Sequence, residues 1–189
     1  MMRKSLLSFA AALLLAQSAM AAPETYGIDP SHTFPRFSYE HFGLSVQVQK
    51  FNKTTGTIVF DKAAKTGSVD VTIDTNSVDA GTPLTTHIKD VDFLDTAKFP
   101  TATFKSTKVV FEGDKPSKIE GNLTLKGVTK PVTLTVTQFT NKAHPFTKSD
   151  AIGASATTVV KRSDFNMAKF VPAVGDEVTI TLSIEALKQ

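Results

Sequence analysis

Four histidines are the residues of this chain best suited to metal binding or proton transfer, and they are His32, His41, His87 and His144. Metal sites commonly take two ligands from positions a few residues apart, and cysteine is the other frequent ligand. No two of these histidines have that spacing, and cysteine is absent. A site assembled from distant histidine and aspartate residues stays open, but we predict that no metal is bound.

Sequence signatures of common enzyme classes are missing as well. No serine lies in a G-x-S-x-G turn, which positions the nucleophile of many hydrolases. Phosphate-binding loops and dinucleotide fingerprints are also absent. Most carboxylates alternate with apolar residues, a pattern that places them in solvent. We therefore predict that the protein is not an enzyme and uses no catalytic cofactor.

His41 is the most informative polar residue, because it ends a strand-like run of aromatic residues. Pro35, Phe37, Tyr39 and His41 share one parity, so they lie on one face of a strand. Phe37 and Tyr39 indicate that this face points inward, and His41 then points inward near Gly43. Its ring is either a hydrogen-bonded histidine of the core or rim, or a contact for the polar head of a ligand.

The aromatic residues suit an apolar interior. The chain has 14 phenylalanines, two tyrosines and no tryptophan, which gives apolar area with few polar atoms to satisfy. An eight-stranded barrel has the size at which side chains either fill the interior or leave room for one ligand. The residues expected to line such an interior are Phe37, Tyr39, Phe60, Val71, Ile73, Phe93, Phe104 and Phe165. Ordinary core packing remains the competing interpretation for each of them.

Strand-like alternation of apolar and polar residues runs through most of the chain. It is clearest at residues 69–73, 119–125, 132–136 and 178–184. Glycine-containing turns separate the runs, and those at Gly113 and Gly127 predict consecutive hairpins. We expect an all-β antiparallel fold closed into a barrel, because closure removes exposed strand edges.

Residues 83–99 interrupt this alternation. Four of them fall at helical spacing: Leu84, His87, Ile88 and Val91. Pro83 suits the first turn of a helix, and Pro100 suits its end. We expect a short helical insert that packs its apolar side on the mouth of the barrel as a lid.

The first 21 residues have the layout of a secretory signal peptide. Arg3 and Lys4 precede an apolar stretch that is too short for a comfortable membrane span, and an A-x-A cleavage site ends at Ala21. We predict cleavage there, with residues 22–189 exported to the periplasm as one domain. An uncleaved membrane anchor is the less favoured alternative.

The exported domain would carry little net charge. Loss of Arg3 and Lys4 lowers the formal charge from +3 to +1, and the remaining lysines and acidic residues are interspersed. This pattern argues against a nucleic-acid-binding surface. Because cysteine is absent, the domain must be stabilised by its core without disulfides.

Several ordered segments resemble one known family. They are YGIDPSHTFPRFSYEHFGL at 26–44, GTIVFD at 56–61, SVDVTIDTNSVD at 68–79, HIKDVDFLDTAKFPTATFKST at 87–107, GNLTLKGVTKPVTL at 121–134, VVKRSDFNM at 159–167 and GDEVTITLSIEA at 175–186. In this order they are similar to the YceI family of lipid- and polyisoprenoid-binding proteins. The most specific parts are residues 92–104 and 121–132.

The resemblance implies a lipocalin-like barrel with a long prenyl chain in its apolar interior. It also implies export to the periplasm and binding rather than catalysis. Carried over by position, the polar residues expected at the ligand head or the rim are His41, His87, Asp92 and Arg162.

The sequence departs from the family pattern at two places. Pro35 stands where a small aliphatic residue is common, which suggests a strand edge or a bend. Lys89 replaces an arginine after His87. Lysine holds a phosphate less specifically than arginine, so a neutral head such as a quinone ring is favoured over a pyrophosphate.

The expected function is a periplasmic carrier or reservoir for an isoprenoid lipid, of the polyprenyl or quinone type. Three alternatives stay open: a scavenger of diverse hydrophobic or amphiphilic compounds, an enzyme acting on such a lipid, and a filled barrel that binds a partner. Besides the lipid, the expected partners are the inner-membrane surface or a membrane protein, contacted transiently. A homodimer is left open.

Overall fold

The computed structural model describes residues 22–189. The predicted signal peptide, residues 1–21, lies outside them. The strands are β1 (Glu24–Ile28), β2 (Arg36–His41), β3 (Ser45–Phe51), β4 (Thr54–Asp61), β5 (Thr66–Asp74), β6 (Val78–Asp79), β7 (Thr101–Glu112), β8 (Lys115–Leu125), β9 (Val128–Ala143), β10 (Asp150–Lys161) and β11 (Glu177–Lys188). One α-helix, α1 (Leu84–Lys89), and two short 3₁₀ helices, Thr75–Ser77 and Arg162–Phe165, complete the described elements.

Eight strands form a closed antiparallel barrel. Their hydrogen-bonded order is β1-β4-β5-β7-β8-β9-β10-β11, and β11 pairs again with β1. The turns at Gly113 and Gly127 connect β7 to β8 and β8 to β9, as predicted. The eight-stranded barrel predicted from the sequence is therefore confirmed.

The remaining strands extend one end of the barrel. β1 and β2 pair with the same edge of β11, through Ile28–Ala186 and Phe37–Ile180 respectively. β3 continues directly into β4, and β5 continues through a 3₁₀ turn into β6. Three strands of the barrel are therefore interrupted, each made of two consecutive elements: β1 with β2, β3 with β4, and β5 with β6. The other five, β7 to β11, are continuous.

Chain direction gives the barrel two distinct ends. The closed end carries the turns at 62–65 and 113–114 and the loop at 144–149. The open end carries the β2–β3 turn, the β8–β9 turn, the connection at 80–100 that contains the insert, and the loop at 162–176. Among residues 22–189, β6 pairs only with β3, so the sheet splits between β6 and β7 at the open end. The insert connects these two strands and contacts β6.

The insert is helical only at its start. α1 follows Pro83 and ends at Lys89, after which the chain continues in turns to residue 99. Ile88 and Leu94 are buried, but Val91 is 62% exposed and lies beyond the helix. The expectation that Val91 shares the apolar helical face is therefore wrong, because the helix ends before it. Among the described residues, no helix is long and apolar enough to cross a membrane.

Candidate ligand-binding cavity

A cavity of about 410 Å³ occupies the open-end half of the barrel. Its wall is formed by inward-facing residues of the barrel strands together with β2 and α1. Most of these side chains are apolar, since strand alternation sends Val, Ile, Leu and Phe inward and Thr, Lys and Asp outward. The arrangement can exclude water from an apolar molecule.

Most of the lining residues expected from the sequence lie on this wall. They are Phe37, Tyr39, Val71, Ile73, Phe93 and Phe104. On β2 the predicted parity is observed, because Phe37, Tyr39 and His41 all face the cavity. The Phe37 ring centre lies 5.4 Å from that of Phe51 and 6.4 Å from that of Tyr39. These rings form an aromatic side of the wall.

Phe60 and Phe165 do not lie on the wall of this cavity. Phe60 lies near the end of β4 at the closed end, where its ring centre is 5.3 Å from that of Phe139 and 6.1 Å from that of Phe111. It borders a separate cavity of about 60 Å³. Phe165 lies in a 3₁₀ helix, is 1% exposed and packs in the core. The prediction placed both on the ligand wall. For Phe60, alternation gives the face of the residue but not its height along the barrel, and for Phe165 it does not apply because the residue lies in a 3₁₀ helix.

The mouth of the cavity is aromatic. His41 and His87, both expected at the rim, lie on the wall beside phenylalanine rings. The ring centres of His41 and Phe42 are 4.3 Å apart, and those of His87 and Phe93 are 4.6 Å apart. Phe170 packs 6.4 Å from Phe93 and brings the loop at 162–176 to the insert. The rim therefore offers imidazole nitrogens and exposed aromatic faces to a ligand.

Asp92, also expected at the rim, lies off the wall. Its carboxylate forms an ion pair with Lys169, and both side chains are about half exposed. Lys126 Nζ donates to the backbone oxygens of Val91 at 2.7 Å and Asn166 at 3.0 Å. The Asp92–Lys169 ion pair therefore connects the insert to the loop at 162–176 directly, and Lys126 connects them by bonding to both. Asp92 is thus placed to fix the cover of the cavity rather than to touch its contents.

Arg162 lines the cavity but is already occupied by the protein backbone. Its Nε donates to Gly175 O at 2.8 Å, Nη2 to Val174 O at 2.9 Å, and Nη1 to the oxygens of Lys169 and Met167. Four of its five N–H groups are therefore used. Burial lowers the pKa of the guanidinium, and the charge of Asp176 opposes that shift. The side chain mainly holds the loop at 162–176 in place over the cavity.

The comparisons with known proteins agree with this architecture. A family model described as a YceI-like domain matches residues 26–186. Protein YceI of Salmonella arizonae is 40% identical over 192 residues, covering 100% of both chains, and the same holds for Protein YceI of Salmonella heidelberg. The chain belongs to the YceI family.

Solved structures extend the family likeness to the fold. The crystal structure of Burkholderia cenocepacia BcnA has a TM-score of 0.69 and 27% identity, and it covers 84% of this chain and 98% of its own. The Campylobacter jejuni YCEI protein has a TM-score of 0.68 and 26% identity, with coverages of 79% and 90%. A polyisoprenoid binding domain from Saccharophagus degradans has a TM-score of 0.66 at 16% identity, covering 87% and 98%, and shows likeness in fold alone.

Asp29 and His32, in the turn between β1 and β2, lie outside the cavity. Asp29 accepts hydrogen bonds from the Ser31 amide at 2.8 Å and the Ser31 hydroxyl at 2.6 Å, and it lies 2.6 Å from His32 Nδ1. These bonds lower the pKa of Asp29 to about 2, with the Ser31 hydroxyl the largest cause and His32 the next. Glu185 is close enough to complete a three-residue metal-ligand geometry, but the group is largely exposed. The hydrogen bonds among Asp29, Ser31 and His32 stabilise the turn between β1 and β2, which explains why these residues lie together.

Thr54 is a wall residue that the sequence argument missed in this YceI-family barrel. It begins β4, is 1% exposed and lines the large cavity. Thr54 shares the parity of Phe60, which was expected to face inward, so the same alternation could have identified it. A polar residue in an inward series was the available signal.

Proposed function

We propose that this YceI-family protein is a periplasmic carrier or reservoir that encloses the chain of an isoprenoid lipid, of the polyprenyl or quinone type. The observation that carries the proposal is the predominantly apolar cavity of about 410 Å³. Ligand cavities usually have volumes of about 300–1,000 Å³ and only a few polar groups. The polyisoprenoid binding domain from Saccharophagus degradans shares the fold, which supports the choice of ligand class.

The energetics of burial are compatible with retention of such a chain. Each buried methylene contributes about 0.8 kcal/mol, so about ten buried carbons give about 8 kcal/mol before ordering costs. A free energy of that size corresponds to roughly micromolar affinity. Because this attraction is non-directional, specificity for one lipid must come from the few polar groups of the wall and rim.

A neutral head is favoured over a phosphate. A phosphate is best held by free arginine N–H groups in a bidentate arrangement. Arg162 already donates to four backbone oxygens, and the insert carries Lys89 rather than arginine. We therefore favour a quinone or another uncharged oxygen-bearing head.

Native mass spectrometry of the protein purified from its host tests the proposal. One dominant long-chain adduct, identified as an isoprenoid by fragmentation, is the expected result. A mixed set of unrelated amphiphiles would instead indicate a scavenger. Absence of any adduct, together with no binding of an added quinone or polyprenol, would contradict lipid binding altogether. We propose binding without turnover, so an added lipid should be recovered chemically unchanged.

Export is tested at the N-terminus. The described chain reaches its first strand, β1, at Glu24, which pairs with Phe60 at the closed end. We expect the periplasmic protein to begin at Ala22. N-terminal sequencing that found Arg3 and Lys4 still present would contradict cleavage.

We also propose that the mouth contacts the inner-membrane surface when lipid is exchanged. Exposed apolar side chains surround it: Phe42, Leu44, Val91, Phe170 and Val171. The backbone amide of Phe42 donates to Ala173 O at 3.0 Å, so the β2–β3 turn and the loop at 162–176 form one continuous rim. Exposed apolar groups at a rim can enter the boundary between lipid heads and chains.

Vesicle co-sedimentation of residues 22–189 tests this contact. Replacing Phe42 and Phe170 with serine should lower binding to phospholipid vesicles several-fold. Phe146 is a matched control, because it is 87% exposed but lies in the closed-end loop. Phe146→Ser should leave vesicle binding unchanged. If Phe146→Ser lowered vesicle binding as much as the replacement of Phe42 and Phe170, docking through the mouth would be contradicted.

A further inference from the structure

The large cavity and the small closed-end cavity meet at a common set of side chains. Within residues 22–189, four residues line both cavities, and all four are apolar: Val69, Leu134, Leu182 and Ile184. They belong to β5, β9 and β11, no two of which are neighbours in the barrel. Because these side chains reach inward from three separate sides, they form a floor between the two cavities.

The floor is thin. Leu134 is 7% exposed and belongs to the core, whereas Leu182 and Ile184 are only half-buried. On the adjacent strand β10, Leu182 pairs with Ala156 and Ile184 pairs with Ala154, and both alanines line the small cavity. These short side chains leave space directly beneath the floor.

The volumes of the two cavities can be expressed as lengths of isoprenoid chain. An apolar cavity of about 150 Å³ holds one benzene molecule, which gives about 25 Å³ for each carbon. On that scale the large cavity of about 410 Å³ takes about 16 carbons, or about three isoprene units. The small cavity of about 60 Å³ takes about two carbons, which is less than one unit. A chain that ends at the floor therefore fills the enclosed space.

The polar groups of the wall lie at the other end of the cavity. His41 and His87 stand at the mouth beside phenylalanine rings, whereas the floor offers hydrocarbon alone. Burying a polar head against hydrocarbon without a hydrogen bond is costly. The head of a lipid is therefore best placed at the mouth, with the end of its chain on the floor.

We propose that the floor sets the length of the enclosed chain, with Leu134 as its main determinant, and that the preferred ligand carries about three isoprene units. The proposal rests on isoprenoid binding as the proposed function and adds the chain length. Units beyond the third remain at the mouth, where they are not enclosed and contribute little to affinity.

Leu134→Ala tests the floor directly. The substitution removes three carbons and joins the freed space to the small cavity. Together these spaces take about five carbons at about 25 Å³ each, which is one further isoprene unit. Leu134→Ala should therefore accept a chain of four units.

Leu123→Ala is the matched control, because it removes the same atoms from a side chain buried to a similar degree. Leu123 is 9% exposed and lies on the neighbouring strand β8, but it lines the large cavity and not the small one. A second control adds Ala154→Leu to Leu134→Ala. The larger side chain at position 154 should refill the space beneath the floor.

The probes are geraniol, farnesol and geranylgeraniol, which carry two, three and four isoprene units. Lipid-free protein is mixed with equal amounts of the three alcohols below their solubility limits, and the adducts are quantified by native mass spectrometry. Each variant is compared with the unaltered protein through the ratio of the four-unit to the three-unit adduct. The ratio counts folded, lipid-bound protein alone, so a loss of stability does not change it.

In the unaltered protein, affinity should rise at least about tenfold from two to three units, because the third unit is fully buried, and less than about twofold from three to four. Leu134→Ala should raise the four-to-three ratio about five- to tenfold. Leu123→Ala should change it less than about twofold, since this side chain lies beside the chain rather than at its end. Adding Ala154→Leu should return the ratio toward that of the unaltered protein.

Three results would overturn the role of the floor while leaving lipid binding intact. They are an unchanged ratio in Leu134→Ala, an equal change in Leu123→Ala, and an affinity of the unaltered protein that rises as steeply from three to four units as from two to three. Leu182→Ala should shift the ratio in the same direction, and it replaces Leu134→Ala if that variant does not fold. Failure of the unaltered protein to bind any of the three alcohols would instead contradict the proposed function itself.

Discussion

The two ends of this barrel are built from the same long strands but differ in what fills them. At the closed end, Tyr26, Phe60, Ile152 and Ala186 form a tight cluster with at most 6% exposure. At the open end, the same strands surround a cavity about seven times larger than the one at the closed end. The contrast indicates that one end supplies the stability that permits the other to stay loosely filled.

Polar groups follow the same division. At the closed end the Tyr26 hydroxyl lies 2.8 Å from carboxylate oxygens of both Glu24 and Asp150, and Asn141 donates to Asp150 at 3.1 Å. Burial, and then the hydrogen bond to Asp150, raise the pKa of Tyr26, so it stays neutral. Among residues 22–189, the Thr54 hydroxyl on β4 and the Gln49 amide oxygen on β3 are buried without a hydrogen-bond partner. The polar groups of the closed-end cluster are thus paired, whereas two buried side-chain oxygens elsewhere in the barrel are not.

The largest expected effect comes from removing a ring at each end. Phe60→Ala should lower the free energy of unfolding by about 3–5 kcal/mol, because it leaves a void in a packed cluster. Phe37→Ala should cost about 1–2 kcal/mol, because the half-buried ring already borders open space. Urea denaturation measures both.

Lipid retention should show the opposite ranking. Phe60→Ala should keep its lipid under conditions where it remains folded, whereas Phe37→Ala should lose much of it. If Phe60→Ala loses its lipid while folded, or Phe37→Ala costs as much stability as Phe60→Ala, the division between the two ends is wrong. Phe37→Leu is a milder check, since it keeps apolar bulk and should change retention more than stability.

The next effect concerns the loop that covers the cavity. Arg162→Met should lower the free energy of unfolding by about 2–3 kcal/mol, because it removes the donors of four backbone oxygens and leaves some of them buried. Limited proteolysis should then cut within residues 162–176 before it cuts the closed end. Arg162→Lys should rescue this only in part, since an ammonium cannot reproduce the planar arrangement of donors. If Arg162→Lys restored the full stability and protease resistance, the positive charge alone would explain the role of Arg162.

Much of this architecture was predictable from the sequence, and the exceptions have physical causes. Alternation correctly placed Phe37, Val71 and Phe104 on an inward face, because a period of two is dictated by strand geometry. It could not give height along the barrel, which depends on strand register, so Phe60 was assigned to the wrong cavity. Register is set by pairing between distant segments and leaves little trace in one local run.

The open end was harder to predict for a related reason. The role of Arg162 depends on a loop that folds back over its side chain, and the backbone oxygens that accept its hydrogen bonds lie up to 13 residues away in the sequence. Asp92 is fixed by Lys169, which lies 77 residues away. Such contacts are created by tertiary packing, so a motif can identify the residues without revealing what they touch. The aromatic face of β2, by contrast, is local and was visible.

Exchange dynamics give a smaller test of the same comparison. The amides of the insert donate to backbone oxygens of the insert itself or of Gly81 just before it, rather than to the sheet, so those in 83–99 should exchange faster than those near Val71 and Leu134. Added lipid should slow exchange in the insert by about tenfold, equivalent to about 1.4 kcal/mol, and change the two strands much less. Strand-like protection of the insert with and without lipid would mean that it is a fixed plug, and lipid uptake would need another route.

The smallest expected effect lies at the join between the two ends, where β1 gives way to β2. The hydrogen bonds from Ser31, and then from His32, lower the pKa of Asp29 to about 2 in the folded protein. The unfolded value is near about 4, so the ionised carboxylate stabilises the fold above that pH. This stabilisation is lost as the pH falls from about 4 to about 2. Since the group is partly exposed, its contribution should not exceed about 1 kcal/mol. Urea denaturation of the unaltered protein and of Asp29→Asn should therefore show a difference at pH 7 that shrinks through this window, and a difference that stays constant down to pH 3 would show that the turn does not depend on the charge.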